Sequence, residues 1–291
     1  LKWTPSFWNM LSTKYSFKNY YSRKFRIAQY SLVLALILLF LTPSLDSEEE
    51  RDTGWDQVPI STDNDFNDVL ALNSTSAFVV GENGKIYHTL DSGANWSEQD
   101  SGVILDLNAI EFNNQAIAIG DSGTVLINEG DSWIDNSIDG AGNLYDLSIP
   151  YFDTLNNSVI FVSGTGGEIW KWSDNSWEDL SNLTGTTNDI YAIDFINNDK
   201  GFAVGADGLI IATTDGGLSW EVRDPPDEFK DFSFYDLLFF GWEGNPTSIL
   251  VVGENGTLIQ SSGTGSTGIG FVWRVPSDES EHPTGTTETI R

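Results

Sequence analysis

The sequence predicts an all-β fold, a β-propeller of four-stranded repeats preceded by one N-terminal transmembrane helix. The first observation is a hairpin unit that recurs five times, each copy having two apolar β-branched runs, a Gly-rich turn and a later tryptophan. The second is the spacing of the turn glycines, which stand 39, 44, 41 and 48 residues apart. Periods near 40–45 residues with several strands each are typical of propellers. Five complete copies favour five blades, and six or seven stay open.

The N-terminal region predicts a membrane anchor. Residues 1–26 hold six Lys or Arg, many aromatics and no Asp or Glu, and an apolar run follows at 27–45. That run is barely long enough to cross a bilayer, and an acidic linker at 46–54 follows it. The basic flank places the arm in the cytoplasm and the propeller outside it. We therefore expect a single-pass protein of the cell membrane with a signal-anchor helix; a cleaved leader is the alternative.

Composition excludes several classes of function. The net charge of −29, from 14 basic and 43 acidic residues, repels nucleic acid and suits a saline habitat, a cation-rich environment or a basic partner. The chain has no cysteine, so disulfides, zinc-thiolate sites and Cys nucleophiles are excluded.

Each repeat is predicted to contain an inner strand, two middle strands and an outer strand opened by the tryptophan. The inner strands are expected at Asp65–Leu72, Asp106–Phe112, Leu144–Ile149, Asp189–Phe195 and Phe234–Phe240, as runs that are apolar or alternate. The propeller then spans 55–276, and the polar, acidic tail at 277–291 is predicted to be disordered. An extra segment, Gly54–Ile60, is interpreted as a ring-closing strand lying near Val272–Val275, which would protect exposed strand edges. The repeat turn glycines are Gly81, Gly120, Gly164, Gly205 and Gly253.

Two repeats carry an intact Ser/Thr-x-Asp-x-Gly-x-x-Trp pattern. In such a turn the Asp accepts backbone N–H bonds, the Gly supplies a positive φ and the Trp packs between neighbouring blades. These roles are structural, so the pattern indicates fold and says little about function. The residues are Thr89, Asp91, Gly93 and Trp96 in the first repeat, and Thr213, Asp215, Gly217 and Trp220 in the fourth.

The pattern resembles the Asp-box (BNR) repeat proteins. Across roughly residues 55–275 the chain looks most like the photosystem II stability/assembly factor family, whose members are extracytoplasmic propellers that act as assembly chaperones. The resemblance implies a propeller whose surface loops hold a partner. It departs from that family, which has seven blades and an Arg-rich patch, because only Arg51, Arg223, Arg274 and Arg291 follow the apolar run here. The family's client therefore does not carry over.

The residues do not predict an enzyme, a cofactor or a metal. Sialidases on the Asp-box scaffold bind a carboxylate with three arginines, which the repeats cannot supply. His88 on a middle strand is expected to be structural. Calcium at Asp63–Asp65 fits no binding loop, and strand capping explains those carboxylates.

The predicted function is a membrane-anchored scaffold or assembly factor that binds a membrane protein and no nucleic acid. The oligomeric state is not indicated, and a glycan-binding or glycoside-hydrolase-type Asp-box propeller is the alternative. Candidate partner contacts are aromatic residues in the long fifth-repeat insertion: Phe229, Phe232, Phe234 and Trp242. Candidate glycosylation sites are the sequons at Asn73, Asn95, Asn156, Asn182 and Asn255.

Overall fold

Five four-stranded antiparallel sheets make up the part of the protein that the structure describes. The computed structural model describes residues 58, 60–130, 132–150, 159–242, 245–263 and 271–274. All of them belong to one compact unit, Leu45–Arg291. Each sheet is a simple meander in which consecutive strands pair, so one repeat of sequence forms one sheet. The all-β prediction is confirmed.

The strands follow the hairpin pattern of the sequence. The first sheet contains β1 (Phe66–Ala71), β2 (Ala77–Gly81), β3 (Ile86–Thr89) and β4 (Ser97–Gln99), and the second contains β5 (Leu107–Asn113), β6 (Gln115–Gly120), β7 (Val125–Asn128) and β8 (Trp133–Asp135). The third contains β9 (Leu144–Ser148), β10 (Ile160–Gly164), β11 (Ile169–Ser173) and β12 (Ser176–Asp179). The fourth contains β13 (Ile190–Phe195), β14 (Gly201–Gly205), β15 (Ile210–Thr213) and β16 (Glu221–Val222), and the fifth contains β17 (Phe234–Trp242), β18 (Asn245–Gly253), β19 (Leu258–Gly263) and β20 (Phe271–Arg274).

Short 3-10 turns complete the regular structure. They lie at Glu82–Gly84, Asp121–Gly123, Thr165–Gly167, Ser181–Leu183, Asp227–Phe229 and Glu254–Gly256. Four of them join the two middle strands of a sheet. The predicted inner strands therefore match β1, β5, β9, β13 and β17 to within two residues at each end.

The core lies between the sheets. We call the face that packs on the preceding sheet the front face and the face that packs on the following sheet the back face. The second sheet presents Leu107 and Ile110 on its front face, where they pack with Phe78 and Val80 of the first sheet. The third and fourth sheets, and the fourth and fifth, meet in the same way, each through its own buried apolar cluster. Burial between stacked sheets is the main stabilising term in such a fold.

Buried carboxylates join alternate pairs of sheets. Asp68 on β1 accepts a hydrogen bond at Oδ2 from the backbone N–H of Ile110, at 2.7 Å. Asp146 on β9 makes the same bond to the N–H of Ile193, at 2.9 Å. A carboxylate that accepts buried N–H groups is stabilised by them, so these bonds help to fix the inner strands of neighbouring sheets.

The first and last sheets each leave one face partly uncovered. Phe66 and Val69 on the front face of β1 are 38% and 47% exposed. On the back face of the fifth sheet, Leu250, Val252 and Leu258 are only half-buried. The residues that occupy the positions of Phe66 and Val69 in the other sheets are at most 2% exposed: Leu107, Ile110, Leu144, Leu147, Ile190, Ile193, Phe234 and Leu237.

Ring closure is therefore not visible as packing between the end sheets. Within the described residues, neighbouring inner strands pack on each other four times along the series, and β17 and β1 share no comparable interface. Most of the predicted closing segment Gly54–Ile60 lies outside the described residues. Its Val58 lies beside Gly93, where an added Cβ would be 4.0 Å from Val58 Cγ2. The number of blades in the complete ring stays a prediction.

The predicted membrane anchor lies outside the described residues, as do the basic arm, the acidic linker at 46–54 and the tail at 277–291. Among the residues that are described, no helix has both the length and the apolar character needed to cross a bilayer.

Candidate functional site

The fourth repeat shows how an intact Asp-box is built. The Thr213 hydroxyl donates to Asp215 Oδ1 at 2.9 Å and accepts the N–H of Gly217 at 3.0 Å. Asp215 also accepts the N–H of Ser219 at 2.9 Å. Gly217 has a φ of +86°, a region that a side chain would strain. The Ser219 hydroxyl bond is the main cause that lowers the pKa of Asp215.

The first repeat repeats this geometry at its own outer edge. Thr89 and Asp91 are bonded at 2.9 Å, and Asp91 accepts the N–H of Asn95 at 2.8 Å. The Trp96 indole N–H donates to the carbonyl of Gly93 at 3.1 Å. Hydrogen bonds from Asn95 lower the pKa of Asp91. The box is thus a local turn device in both repeats.

The five turn glycines serve close approach of the backbone. Each is the last residue of the second strand in its sheet and pairs with the first residue of the inner strand. A Cβ on Gly81 would lie 2.0 Å from the carbonyl oxygen of Asp65, and one on Gly205 would lie 1.9 Å from that of Asp189. Their backbone is extended, so the need is for space and not for a positive φ.

The aromatic residues predicted to contact a partner have different environments in the structure. Phe234 opens β17, is fully buried and packs in the cluster between the fourth and fifth sheets, so its assignment to a partner surface was wrong. Phe229 packs against the same cluster and meets Phe232 edge to face at 5.6 Å. Trp242 ends β17, and its side chain lies outside the described residues. Aligning the repeats by their turn glycines would have placed Phe234 in the core, because the inner-strand residue paired with that glycine is apolar in every copy.

The sequons lie on the surface where they are described. Asn73, Asn95, Asn182 and Asn255 are exposed, and Asn156 lies outside the described residues. Asn73 and Asn95 already use their amide groups in local turns. Glycosylation of these sites stays a prediction.

The junction between the third and fourth sheets is closed by stacked aromatic rings. Phe161 and Phe195 stack with centroids 3.6 Å apart and planes 4° apart, and Trp220 meets Phe195 edge to face at 6.0 Å. Phe195 is 3% exposed. Its strand partner is Gly201, where a Cβ would lie only 2.7 Å from the Phe195 ring. Glycine at this position therefore makes room for the ring.

The junction between the first and second sheets contains a cleft at the corresponding place. Its volume is about 430 Å³, within the usual range of ligand pockets. The apolar wall includes Leu72, Phe78 and Ala116, and the rim carries Asn114, Gln115, Asn128 and Glu129. Phe112, which occupies the position of Phe195, also lines the cleft and is 45% exposed.

Two sequence differences distinguish this junction from the one between the third and fourth sheets. The strand partner of Phe112 is Ala116 where the fourth sheet has Gly201, so a methyl group occupies the space that the Phe195 ring uses. A side chain at this position does not by itself open a junction, because in the fifth sheet the partner of Phe239 is Ile249 and Phe239 still meets Phe202 edge to face at 5.6 Å. The second repeat also lacks an intact Asp-box, and Glu129 and Ser132 instead close a tight turn through a 2.8 Å backbone bond. In the fourth repeat the longer loop brings Gly217 against Leu180 and Phe161, where it covers the junction.

A histidine of the first sheet also lines this cleft, at the strand position where the third sheet has Lys171. His88 stacks on Phe78 with centroids 4.0 Å apart and planes 9° apart, and its Nε2 lies 2.9 Å from the Ser76 hydroxyl. Burial lowers the pKa of His88, so the neutral ring is favoured. Ser76 is itself buried, so this pair positions the imidazole and does not present a nucleophile. The cleft can therefore bind a group by stacking, apolar contact and rim hydrogen bonds.

A second feature is a row of tyrosines on the inner strands. Tyr145, Tyr191 and Tyr235 follow one another with ring centroids 5.5 and 5.8 Å apart. Burial, helped by the negative charge of Asp189, raises the pKa of Tyr145 to about 12. Burial likewise raises the pKa of Tyr191, and the Tyr145 hydroxyl donates to Asp189 at 3.5 Å. Across the described part of the chain, no cluster of three or more His, Asp or Glu is placed to hold a metal ion.

The fold and these surfaces define a class, an Asp-box β-propeller with a cleft between two of its sheets. The comparison with protein families matches residues 169–276 to "Photosynthesis system II assembly factor YCF48". That match covers just over a third of the chain, and the resemblance to the photosystem II assembly factor family is thereby confirmed.

Curated relatives and solved structures agree with this likeness. Two strains of Prochlorococcus marinus have a "Photosystem II assembly lipoprotein Ycf48" that is 38% identical over 80 residues and 46% identical over 53 residues. These matches cover 24% and 18% of this chain and only 22% and 15% of the relatives. A solved "YCF48 bound to D1 peptide" has a TM-score of 0.54 at 20% identity, covering 72% of this chain and 69% of that one. YCF48 from Cyanidioschyzon merolae gives 0.52 at 18%, covering 69% and 70%. At these identities the solved structures show a shared fold.

Proposed function

We propose that this protein is a binding scaffold, and not an enzyme, that holds a protein partner during assembly of a membrane complex. The observation that carries the proposal is the match of residues 169–276 to the photosystem II assembly factor family. Two of the five sheets fall within that stretch almost completely, with part of the third sheet before them. The likeness therefore includes the repeats themselves and not only the Asp-box pattern.

The solved relative with a bound D1 peptide supports a peptide segment as the ligand. A propeller suits this task because its sheets form a rigid frame and its loops and junctions vary without loss of the core. The client here need not be the same peptide. With a net charge of −29, this chain favours a partner segment that carries positive charge.

We also propose that the propeller is held at the outer side of the cell membrane by the apolar run at 27–45. Support comes from the sequence, where the basic residues precede the run and the acidic ones follow it. Alkaline carbonate washing of membranes tests the tether, and protease added to intact cells tests the side. Release by carbonate, or protection of the propeller from protease, would contradict this placement.

Affinity capture tests the scaffold role. The full chain, tagged at its C-terminus and cross-linked in cells, is expected to recover one membrane protein in near-stoichiometric amount from detergent extracts. Because an acidic chain attracts basic proteins non-specifically, the capture is repeated at 0.5 M salt, which screens exposed charges to within about 3–5 Å. Loss of every membrane protein at that salt would sink the proposal, as would specific recovery of a glycan.

A further inference from the structure

We propose that the cleft between the first and second sheets is an anchor site for an aromatic side chain of the partner, flanked by basic residues. This inference rests on the proposed function, since it takes the ligand to be a protein segment. It names a site and a recognition chemistry for that ligand.

The protein itself shows what the cleft accepts. At the junction between the third and fourth sheets, the corresponding space is filled by the phenyl ring of Phe195, stacked on Phe161 at 3.6 Å. The residue at the position of Phe161 is Phe78 in the first sheet, and the residue at the position of Phe195 is Phe112 in the second sheet. Phe78 is in place, and Phe112 lines the cleft with 45% of its surface exposed. The space that Phe195 fills between the third and fourth sheets is therefore open between the first and second sheets, where an aromatic ring of a partner could enter.

The cleft wall favours a planar apolar group. Phe78 and Ala116 are buried, His88 offers an imidazole stacked on Phe78, and Phe112 forms a partly exposed side wall. Trp133 fixes Phe78 edge to face at 5.8 Å and is itself held by a 2.8 Å bond from its indole N–H to Gln99. Offset and edge-to-face contacts with such walls stabilise an aromatic ligand beyond the area that it buries.

The rim favours positive charge around the ring. Glu129 carries the one carboxyl group among the lining residues, and none of them is Lys or Arg. Asn114, Gln115 and Asn128 provide amide groups for hydrogen bonds to a peptide backbone. An acidic chain also raises the association rate of a basic segment.

The test uses short peptides and the full chain labelled with 13C-histidine. The chain has only two histidines, so the ring signal of His88 is assigned by loss in a His88→Gln variant. The probe is the blocked pentapeptide Lys-Lys-Phe-Lys-Lys, compared with Lys-Lys-Ala-Lys-Lys and Glu-Glu-Phe-Glu-Glu. The phenylalanine peptide with lysines is expected to shift the His88 signal and to bind about tenfold more tightly than either of the others, since burying a phenyl group is worth about one decade or more of affinity.

Variants locate the effect. Ala116→Gly should let Phe112 close over Phe78 and weaken the peptide about tenfold, and Ala116→Leu should do so by filling the cleft. Ala118→Gly is the matched control, because Ala118 lies two residues along β6, is buried in the same cluster and does not line the cleft. It should bind as the parent chain does.

The outcomes separate this inference from the proposed function. Equal binding of the alanine peptide, equal binding of the glutamate peptide or an unmoved His88 signal would each overturn the anchor site. So would undiminished capture of the membrane partner by Ala116→Gly, and in that case the scaffold role would stand. If the phenylalanine peptide binds as expected and no membrane partner is captured, the scaffold role fails and the cleft chemistry stands.

Discussion

Two junctions between sheets have phenylalanine at the same two positions, but one junction is closed and the other is open. Between the third and fourth sheets, Phe195 lies over Phe161 and the space is closed. Between the first and second sheets, Phe112 in the same position is exposed and a cleft of about 430 Å³ is open. The two junctions differ by one methyl group, at Ala116 against Gly201, and in the length of one loop. A repeat protein can thus leave a cleft by omitting a contact at one junction while the others preserve the core.

Removing the two rings should give the largest contrast. Phe195→Ala deletes a buried stacked ring, so we expect a loss of about 3–5 kcal/mol in the free energy of unfolding. Phe112→Ala removes a largely exposed ring and should cost less than about 1 kcal/mol. Urea titration of both variants, with fluorescence as the signal, measures the pair. Similar losses would mean that the two junctions pack alike in solution.

Exchanging the strand partners should move each junction toward the other. In Gly201→Ala the new methyl group would lie 2.7 Å from the Phe195 ring, which is closer than van der Waals contact allows. Overpacking of this kind costs about 1–3 kcal/mol. The same urea titration measures the change in the free energy of unfolding. Gly185→Ala would be a poor control, because Gly185 has a positive φ and a side chain there would strain the backbone. Ala203→Gly, on the same strand and buried, is the better control for a general change in β14. If Gly201→Ala is no less stable than the parent, the ring is not confined as described.

The reverse exchange is expected to leave the stability nearly unchanged. In Ala116→Gly the strand loses about 0.5–1 kcal/mol from the flexibility of glycine. Phe112 is 45% exposed, so closing it over Phe78 would add about half of the 1.5–3 kcal/mol that a full ring burial contributes, and the two terms should nearly cancel. Ala118→Gly has the strand cost without the ring and should be destabilised. Equal destabilisation of both variants would show that Phe112 does not close.

The smallest expected effect is on the pH dependence of the stability. It arises from His88, which lies at the open junction. Burial lowers the pKa of His88 in the folded state, so the unfolded chain binds more protons just below the ordinary histidine pKa of about 6.5. Stability should therefore fall as the pH falls through that region, and it is fully present above it. His88→Gln should flatten this part of the stability profile, as seen in thermal unfolding between pH 7.5 and 5. An unchanged slope would place the imidazole outside the protected cleft.

The repeat pattern allowed the fold to be predicted because it is written five times. Each copy pairs a turn glycine with an apolar inner-strand residue, and the period together with the apolar runs predicts the inner strands to within two residues. The Asp-box turns were equally readable, since Thr213, Asp215 and Gly217 act within five residues of one another. Local chemistry of this kind does not depend on which sheets become neighbours.

The cleft could not be predicted in the same way because it depends on a comparison across sheets. Ala116 reads as an ordinary strand residue until the register pairs it with Phe112 and the fold places Gly201 in the same position elsewhere. The prediction that Phe234 contacts a partner was wrong for the opposite reason. Its place in a long insertion suggested a surface position, but the strand register pairs it with Gly253 and places it in the core. In both cases the missing information was the alignment of repeats to one another.

A crystal structure of the Ala116→Gly variant would show whether Ala116 keeps the Phe112 ring out of this junction. We expect the Phe112 ring to turn inward and to lie against Phe78 with its centroid within about 4–6 Å, as aromatic pairs do, so that the cleft is filled. A Phe112 ring that still points into solvent beside an open cleft would show that the Ala116 methyl group is not what keeps the junction open.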